Sequence, residues 1–171
     1  MSENQKKIWI TGASSGIGKA VAEKFASEGW KVAVSARRKE LLDELAKNRN
    51  ISSFPLDVTD RTQIKSVFEN ILSEFGDLDI CFFSSGTYEP KDEQNIDPDK
   101  IKNVINVNFL GVIDCVKSVE RYFKDKKSGH ISIVSSIASY RGLPNSSGYG
   151  PSKAALTNFS ESIYFDFKKF G

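Results

Sequence analysis

One histidine, two cysteines, one methionine and five prolines occur in 171 residues, and neither sign of charge dominates: 24 Lys and Arg stand against 22 Asp and Glu, a formal charge of +2. Each scarcity excludes something. A lone His130 and no cysteine cluster leave a zinc site or a hydrolase triad without support. His130 follows Gly129 at the start of a β-rich run, away from the expected ligand face, and is expected to satisfy a local backbone group. Cys81 and Cys115 have no metal or redox spacing and read as buried strand and helix residues. The basic residues come in scattered pairs such as Lys6-Lys7, Arg37-Arg38 and Lys168-Lys169, which argues against nucleic acid or an acidic membrane surface as partner. Ile80-Cys81-Phe82-Phe83 typifies the longest apolar runs, too short to cross a bilayer. Only Ile8-Trp9-Ile10 separates the polar start from Thr11-Gly12, too little for the apolar region of a signal peptide. With 39% hydrophobic residues the chain can build a core. The expectation is a soluble, cytoplasmic protein with one domain over residues 1–171.

Apolar runs alternate with helical patterns. Strands are expected over Lys6–Ile10, Lys31–Ala36, Ser52–Leu56, Asp79–Ser84 and His130–Ser135. Ile17, Val21 and Phe25 mark the first helix. Ile64, Val67, Phe68, Ile71, Leu72 and Phe75 mark a later one, with Asp60 and Gln63 at its start and Gly76 at its end. A further helix is expected over Ile101–Phe123 and a last one over Tyr149–Phe170, with Tyr88 to Lys100 the longest loop. Apolar strands alternating with helices imply a parallel sheet covered on both faces, an α/β three-layer architecture.

The first strand runs into Thr11-Gly12-Ala13-Ser14-Ser15-Gly16-Ile17-Gly18, and a helix follows at once. Glycines between strand and helix permit a tight turn and close approach of backbone to a pyrophosphate, and the helix N-terminus offers N–H groups to the phosphates. An ordinary glycine-rich turn is the alternative. The spacing is G-x-x-x-G-x-G rather than G-x-G-x-x-G. At the end of the second strand, where an acid would bind the adenosine ribose, the sequence has Val34-Ser35-Ala36-Arg37-Arg38. Two guanidinium groups in place of a carboxylate favour NADP(H) over NAD(H), because Arg holds a 2′-phosphate that an acid repels. The alternative places Arg37 and Arg38 in a solvated helix turn. Asp57, after the third strand, is a candidate acceptor for the adenine amino group, or a turn aspartate.

Tyr149 and Lys153 are four residues apart, on one face if both lie on a helix. A free phenol ionises near pH 10, and a neighbouring ammonium lowers that value, which suits the phenol to general acid–base work. Ser136 closes the fifth strand, where open parallel sheets place ligands. Of Asn106 and Asn108, both in a helical stretch that disfavours Asn, one is expected in a polar role.

Together Thr11 to Gly18, Asp57, Asn108, Ser136 and Tyr149-Gly150-Pro151-Ser152-Lys153 resemble the short-chain dehydrogenase/reductase family, in order and over essentially the whole chain. The resemblance implies a Rossmann-like doubly wound sheet of order 3-2-1-4-5. It implies hydride transfer between NADP(H) and a carbonyl compound or secondary alcohol, with Asn108, Ser136, Tyr149 and Lys153 catalytic. Family spacing selects Ser136 over Ser135, gives Asn108 the task of holding the lysine through water, and gives Lys153 the nicotinamide ribose. Cofactor contacts are implied for Gly12, Ser14, Ser15, Gly16, Ile17 and Gly18, and for Arg37, Arg38, Asp57 and Val58. Ser84, Ser85 and Gly86 complete that set with Tyr149 and Lys153. A small-molecule substrate and a homo-oligomer are also implied.

Two departures stand out. Phe83-Ser84-Ser85-Gly86 replaces the family's Asn-Asn-Ala-Gly, so serine hydroxyls stand where amides are usual. The sequence ends at Phe170-Gly171, whereas the family continues with two more strands and a substrate-covering segment, about 60 residues or more at roughly 30 per strand-helix-strand unit. The expectation is a C-terminally incomplete domain whose fifth strand is an exposed apolar edge. A cofactor-binding module without turnover, or a subunit completed by another chain, are the competing readings.

Overall fold

The computed structural model describes residues 5–90 and 95–171. Five strands form one parallel sheet: β1 (Lys7–Thr11), β2 (Lys31–Ser35), β3 (Ile51–Ser53), β4 (Ile80–Phe83) and β5 (His130–Ile133), in spatial order β3-β2-β1-β4-β5. Helices α1 (Gly16–Ser27), α2 (Lys39–Leu45), α3 (Arg61–Phe75), α4 (Pro98–Ile105), α5 (Gly111–Lys126) and α6 (Tyr149–Lys168) complete the fold. The sheet is parallel, as the alternation of apolar runs and helices implies, and its order is the doubly wound Rossmann-like one that the family resemblance implies.

Strand alternation sorts the core into two layers. Ile8 and Ile10 of β1, with Val32 and Val34 of β2, pack with Ala22 and Ala26 of α1 and Leu42 of α2. Trp9 points the other way, into a cluster with Val67 and Phe68 of α3, Val112 and Val116 of α5 and Leu156 of α6. The Trp9 ring stacks on Phe68 and meets Phe83 edge-on, and its indole N–H donates to Ser35 Oγ at 2.9 Å. Cys81 and Cys115 are buried there as free thiols, and desolvation pushes the ionisation of both upward.

Helix α3 starts and stops where the sequence places it. The Asp60 carboxylate accepts from the N–H groups of Thr62 and Gln63, and Gly76 ends the helix in a left-handed conformation. Three expectations shift. β3 covers Ile51–Ser53 rather than Ser52–Leu56: beyond Ser53 bonds from Phe54 N to Val34 O and from Leu56 N to Ala36 O keep the chain alongside β2, and Pro55 between them has its nitrogen on the side away from β2. The helix expected over Ile101–Phe123 begins at Pro98, ends at Lys126 and passes through a π-helical turn at Asn106–Leu110. The His130 imidazole is exposed and makes no hydrogen bond among the described residues, while its backbone N–H donates to Asp79 O. Of the loop expected over Tyr88 to Lys100, residues 91–94 lie outside the described residues.

β5 forms an edge of the sheet among the described strands, as expected, with Ile131 and Ile133 half-buried beside an apolar groove of about 380 Å³. That groove lies among Phe123, Ile163 and Phe167 and contains none of the glycine-loop or Tyr-Lys residues. Among the described residues no helix is long and apolar enough to cross a membrane, and no group of His, Cys, Asp and Glu is arranged to hold a metal ion.

Candidate active site

The glycine loop connects β1 to α1 and meets the end of β4. Gly12 sits at φ +71°, and a Cβ there would lie 2.7 Å from Ser85 N and 2.8 Å from the Ser84 carbonyl. No other residue type fits that crossing. Gly16, at φ +56°, has nothing within 4 Å of a Cβ position, so the loop keeps open space above it. Gly18 brings α1 against the loop: a Cβ there would lie 2.5 Å from Gly12 O. Ser15 precedes α1 in an extended conformation without capping it, so its hydroxyl leaves the first-turn N–H groups without a side-chain acceptor.

Arg38 supplies what the loop serines lack. Its guanidinium donates to both Ser14 Oγ and Ser15 Oγ at 2.9 Å, reaching from the start of α2 across to the glycine loop. Arg37 beside it is exposed. Asp57 is half-buried, and its Oδ1 accepts from the N–H and hydroxyl of Thr59, while its own N–H donates to Gln63 Oε1. It is therefore a turn aspartate whose second oxygen takes no part in that turn. Val58, next to it, is buried.

At the end of β4 the Ser84 hydroxyl donates to Thr11 O at 2.6 Å, tying β4 to β1 rather than facing solvent. Ser85 is buried and Gly86 exposed. A Cβ on Gly86 would stand 3.5 Å from Asn108 Oδ1 and 3.7 Å from Lys153 Nζ, so three distant segments converge here.

The π-helical turn accounts for Asn108 rather than Asn106. Asn108 is fully buried: its Oδ1 accepts from Thr87 N at 2.7 Å, and its Nδ2 donates to Thr87 O and to Ser152 Oγ. Asn106 is only half-buried. The amide thus clamps the segment after β4 to α6. Among the described residues its side-chain partners are Thr87 and Ser152 and not Lys153, whose ammonium donates to Val134 O at 2.9 Å.

Lys153 is 4% exposed, and burial pushes its ionisation down to about 8. Its Nζ lies 5.7 Å from the centre of the Tyr149 ring, one turn earlier on α6. A cleft of about 250 Å³ brings Tyr149 and Lys153 together with Gly12, Ser15, Ile17, Gly18, Ser84 and Gly86. The Tyr-Lys pair and the glycine loop, apart in sequence, share one cavity.

Ser136 stands slightly outside it. Its hydroxyl accepts from Ala138 N at 3.2 Å and caps a single 3-10 turn. Ser135 lines the cleft instead, but its hydroxyl is engaged with Lys153 O and Thr157 Oγ1 of α6. The serine with a proton left to donate is Ser136. Sequence reasoning missed Thr87, Tyr88, Val134 and Ser152. Nothing local marks the first three, and Ser152 was visible only as part of the Tyr-to-Lys segment.

The residues present fit a dinucleotide. The loop has open space above Gly16, an uncapped helix N-terminus and a cationic side chain held over its serines.

Comparison with known proteins agrees. The short chain dehydrogenase family model matches residues 6–171. A relative named dehydrogenase/reductase SDR family member 7, from Mus musculus, is 31% identical over 95% of this chain, which spans about half (51%) of that protein. The 3-oxoacyl-(acyl-carrier-protein) reductase FabG of Salmonella typhimurium is 34% identical over 95% of the chain, covering 68% of the relative. The solved structure "ElxO with NADP Bound" superposes with a TM-score of 0.89 at 28% identity, over 98% of this chain and 70% of that one. With the family model matching residues 6–171, almost its full length, this chain belongs to the short-chain dehydrogenase family.

Proposed function

We propose that the chain carries the cofactor site and acid–base residues of an NADP(H)-dependent oxidoreductase that interconverts a carbonyl compound and a secondary alcohol. The observation that carries this reading is the placement of Tyr149 and Lys153, one turn apart on α6, in the cleft that the glycine loop also lines. When bound, the reduced nicotinamide supplies the hydride. The protein's part is the proton. The Tyr149 hydroxyl donates it to the carbonyl oxygen, and the Lys153 ammonium offsets the charge left on the phenolate. Ser136, whose hydroxyl keeps its own proton, hydrogen-bonds the reacting oxygen. Asn108 holds the strand-end segment and α6 in register.

Gly12, Ser14, Ser15, Gly16, Ile17 and Gly18 receive the phosphates in this reading, with Val58, Ser84, Ser85 and Gly86 along the same groove. Asp57 accepts from the adenine amino group. Arg38, with Arg37, takes the 2′-phosphate, which favours NADPH over NADH. Support comes from the two bonds that already hold the Arg38 guanidinium over the loop and from the NADP named in the ElxO structure. Assembly as a homo-oligomer belongs to the same reading, supported by Tyr164 and Phe165 on α6, which are 55% and 72% exposed.

The test is consumption of NADPH with a panel of ketones and aldehydes, for the parent protein and Tyr149→Phe. The expected result is turnover in the parent, a loss of about 10²-fold or more in the variant, and retained NADPH binding in both. Equal turnover by the two proteins overturns the assignment; binding without turnover in the parent makes the chain a cofactor-binding module.

A further inference from the structure

We infer that Tyr88 is a positioning residue for Tyr149, a π-stacked brace that fixes the phenol in the cleft; this rests on the acid–base role proposed for Tyr149. The two rings lie with centroids 4.3 Å apart and planes inclined by 27°, a stacked contact. Tyr88 sits two residues beyond Gly86 and lines the same cleft.

The brace is anchored at both ends. Its backbone is held through Thr87, both of whose main-chain groups bond to the Asn108 side chain. Its hydroxyl donates to Asn145 O at 3.1 Å, in the loop that leads into α6. Tyr88 therefore spans from the end of β4 to the segment before Tyr149, and its ring occupies one face of the Tyr149 ring. Lys153 reaches that ring from within α6. Tyr88 is 39% exposed, so its burial alone contributes little to the core.

A phenol that transfers a proton needs its oxygen within hydrogen-bond reach of the substrate oxygen, and small displacements of a reacting group are costly in rate. An aromatic ring stacked on the phenol limits rotation about its side-chain bonds without consuming the hydroxyl. Asn108 then has a second consequence: by fixing Thr87 it sets where the Tyr88 ring stands.

The experiment compares the parent with Tyr88→Leu, Tyr88→Phe and Tyr149→Phe, each labelled with 3-fluorotyrosine, and measures turnover on the same carbonyl panel. The Tyr149 fluorine resonance is identified by its loss in Tyr149→Phe. Removal of the ring in Tyr88→Leu is expected to shift that resonance and to lower kcat about tenfold or more, with KM for NADPH unchanged. Tyr88→Phe keeps the ring, leaves the resonance near its parent position and restores kcat to within a few-fold. A resonance unmoved in Tyr88→Leu overturns the inference, as does parent-like kcat in Tyr88→Leu when Tyr149→Phe is inactive. Parent-like turnover by Tyr149→Phe overturns the acid–base reading itself, and the inference with it, whatever the resonance does.

Discussion

The ammonium of Lys153 stands 5.7 Å from the centre of the Tyr149 ring while it donates a hydrogen bond to Val134 O. One buried cation therefore links the end of β5 to the face of α6 that lines the cleft. Its burial lowers its ionisation to about 8.

That depression has a defined pH consequence. The unfolded chain keeps Lys153 protonated to near pH 10.5, whereas the folded chain releases the proton near 8. Between those values the unfolded state binds more protons, so this residue's contribution to stability rises with pH and is most unfavourable below 8. Relative to Lys153→Met, the unfolding free energy of the parent should climb by on the order of 2–3 kcal/mol from pH 7.5 to 10.5. Paired urea titrations across that range check it, and parallel curves would refute the burial of the charge.

Arg38 is held over the loop by Ser14 and Ser15. Arg38→Ala should weaken NADPH binding about 10- to 100-fold, the worth of a charge-assisted hydrogen bond, and leave NADH binding within a few-fold. Fluorescence titration with both cofactors decides it. An equal loss for the two would mean that Arg38 acts on the loop rather than on a 2′-phosphate.

Gly12 and Gly16 both have positive φ but differ in surroundings. Gly12→Ala would drive a methyl into the Ser84-Ser85 backbone and should cost about 3 kcal/mol or more, beyond the roughly 1–2 kcal/mol of the left-handed conformation. Gly16→Ala should incur only that smaller cost. It should instead reduce cofactor affinity, because its methyl fills the space above the loop. Thermal melts with and without NADPH separate the two.

Asn108→Ala leaves the N–H and C=O of Thr87 without their partner and should lower stability by about 2–4 kcal/mol. Asn106→Ala, from a half-buried position, should cost less than about 1 kcal/mol. Chemical denaturation of both variants tests whether the π-helical turn has made these two asparagines unequal.

Much of the architecture was legible because its determinants are local. Apolar runs such as Lys31–Ser35, the Asp60 cap with Gly76, and the glycine loop between strand and helix each act within a few residues, where periodicity and backbone preference dominate. The four-residue spacing of Tyr149 and Lys153 likewise placed them on one helix face. Element bounds shifted where a local exception intervened, as in the π-helical turn, which no periodicity announces.

The sequence by itself thus determined the order of elements, the parallel sheet and the residue types brought to its ligand-facing end. Tertiary structure decided the pairings across that end: Arg38 with the loop serines, Asn108 with Thr87, Tyr88 with Tyr149, and the depth at which Lys153 is buried. The physical reason is the range of the interactions. Propensity and amphipathic spacing operate along the chain, whereas desolvation, stacking and the satisfaction of buried amides depend on which distant segments the closed sheet brings together.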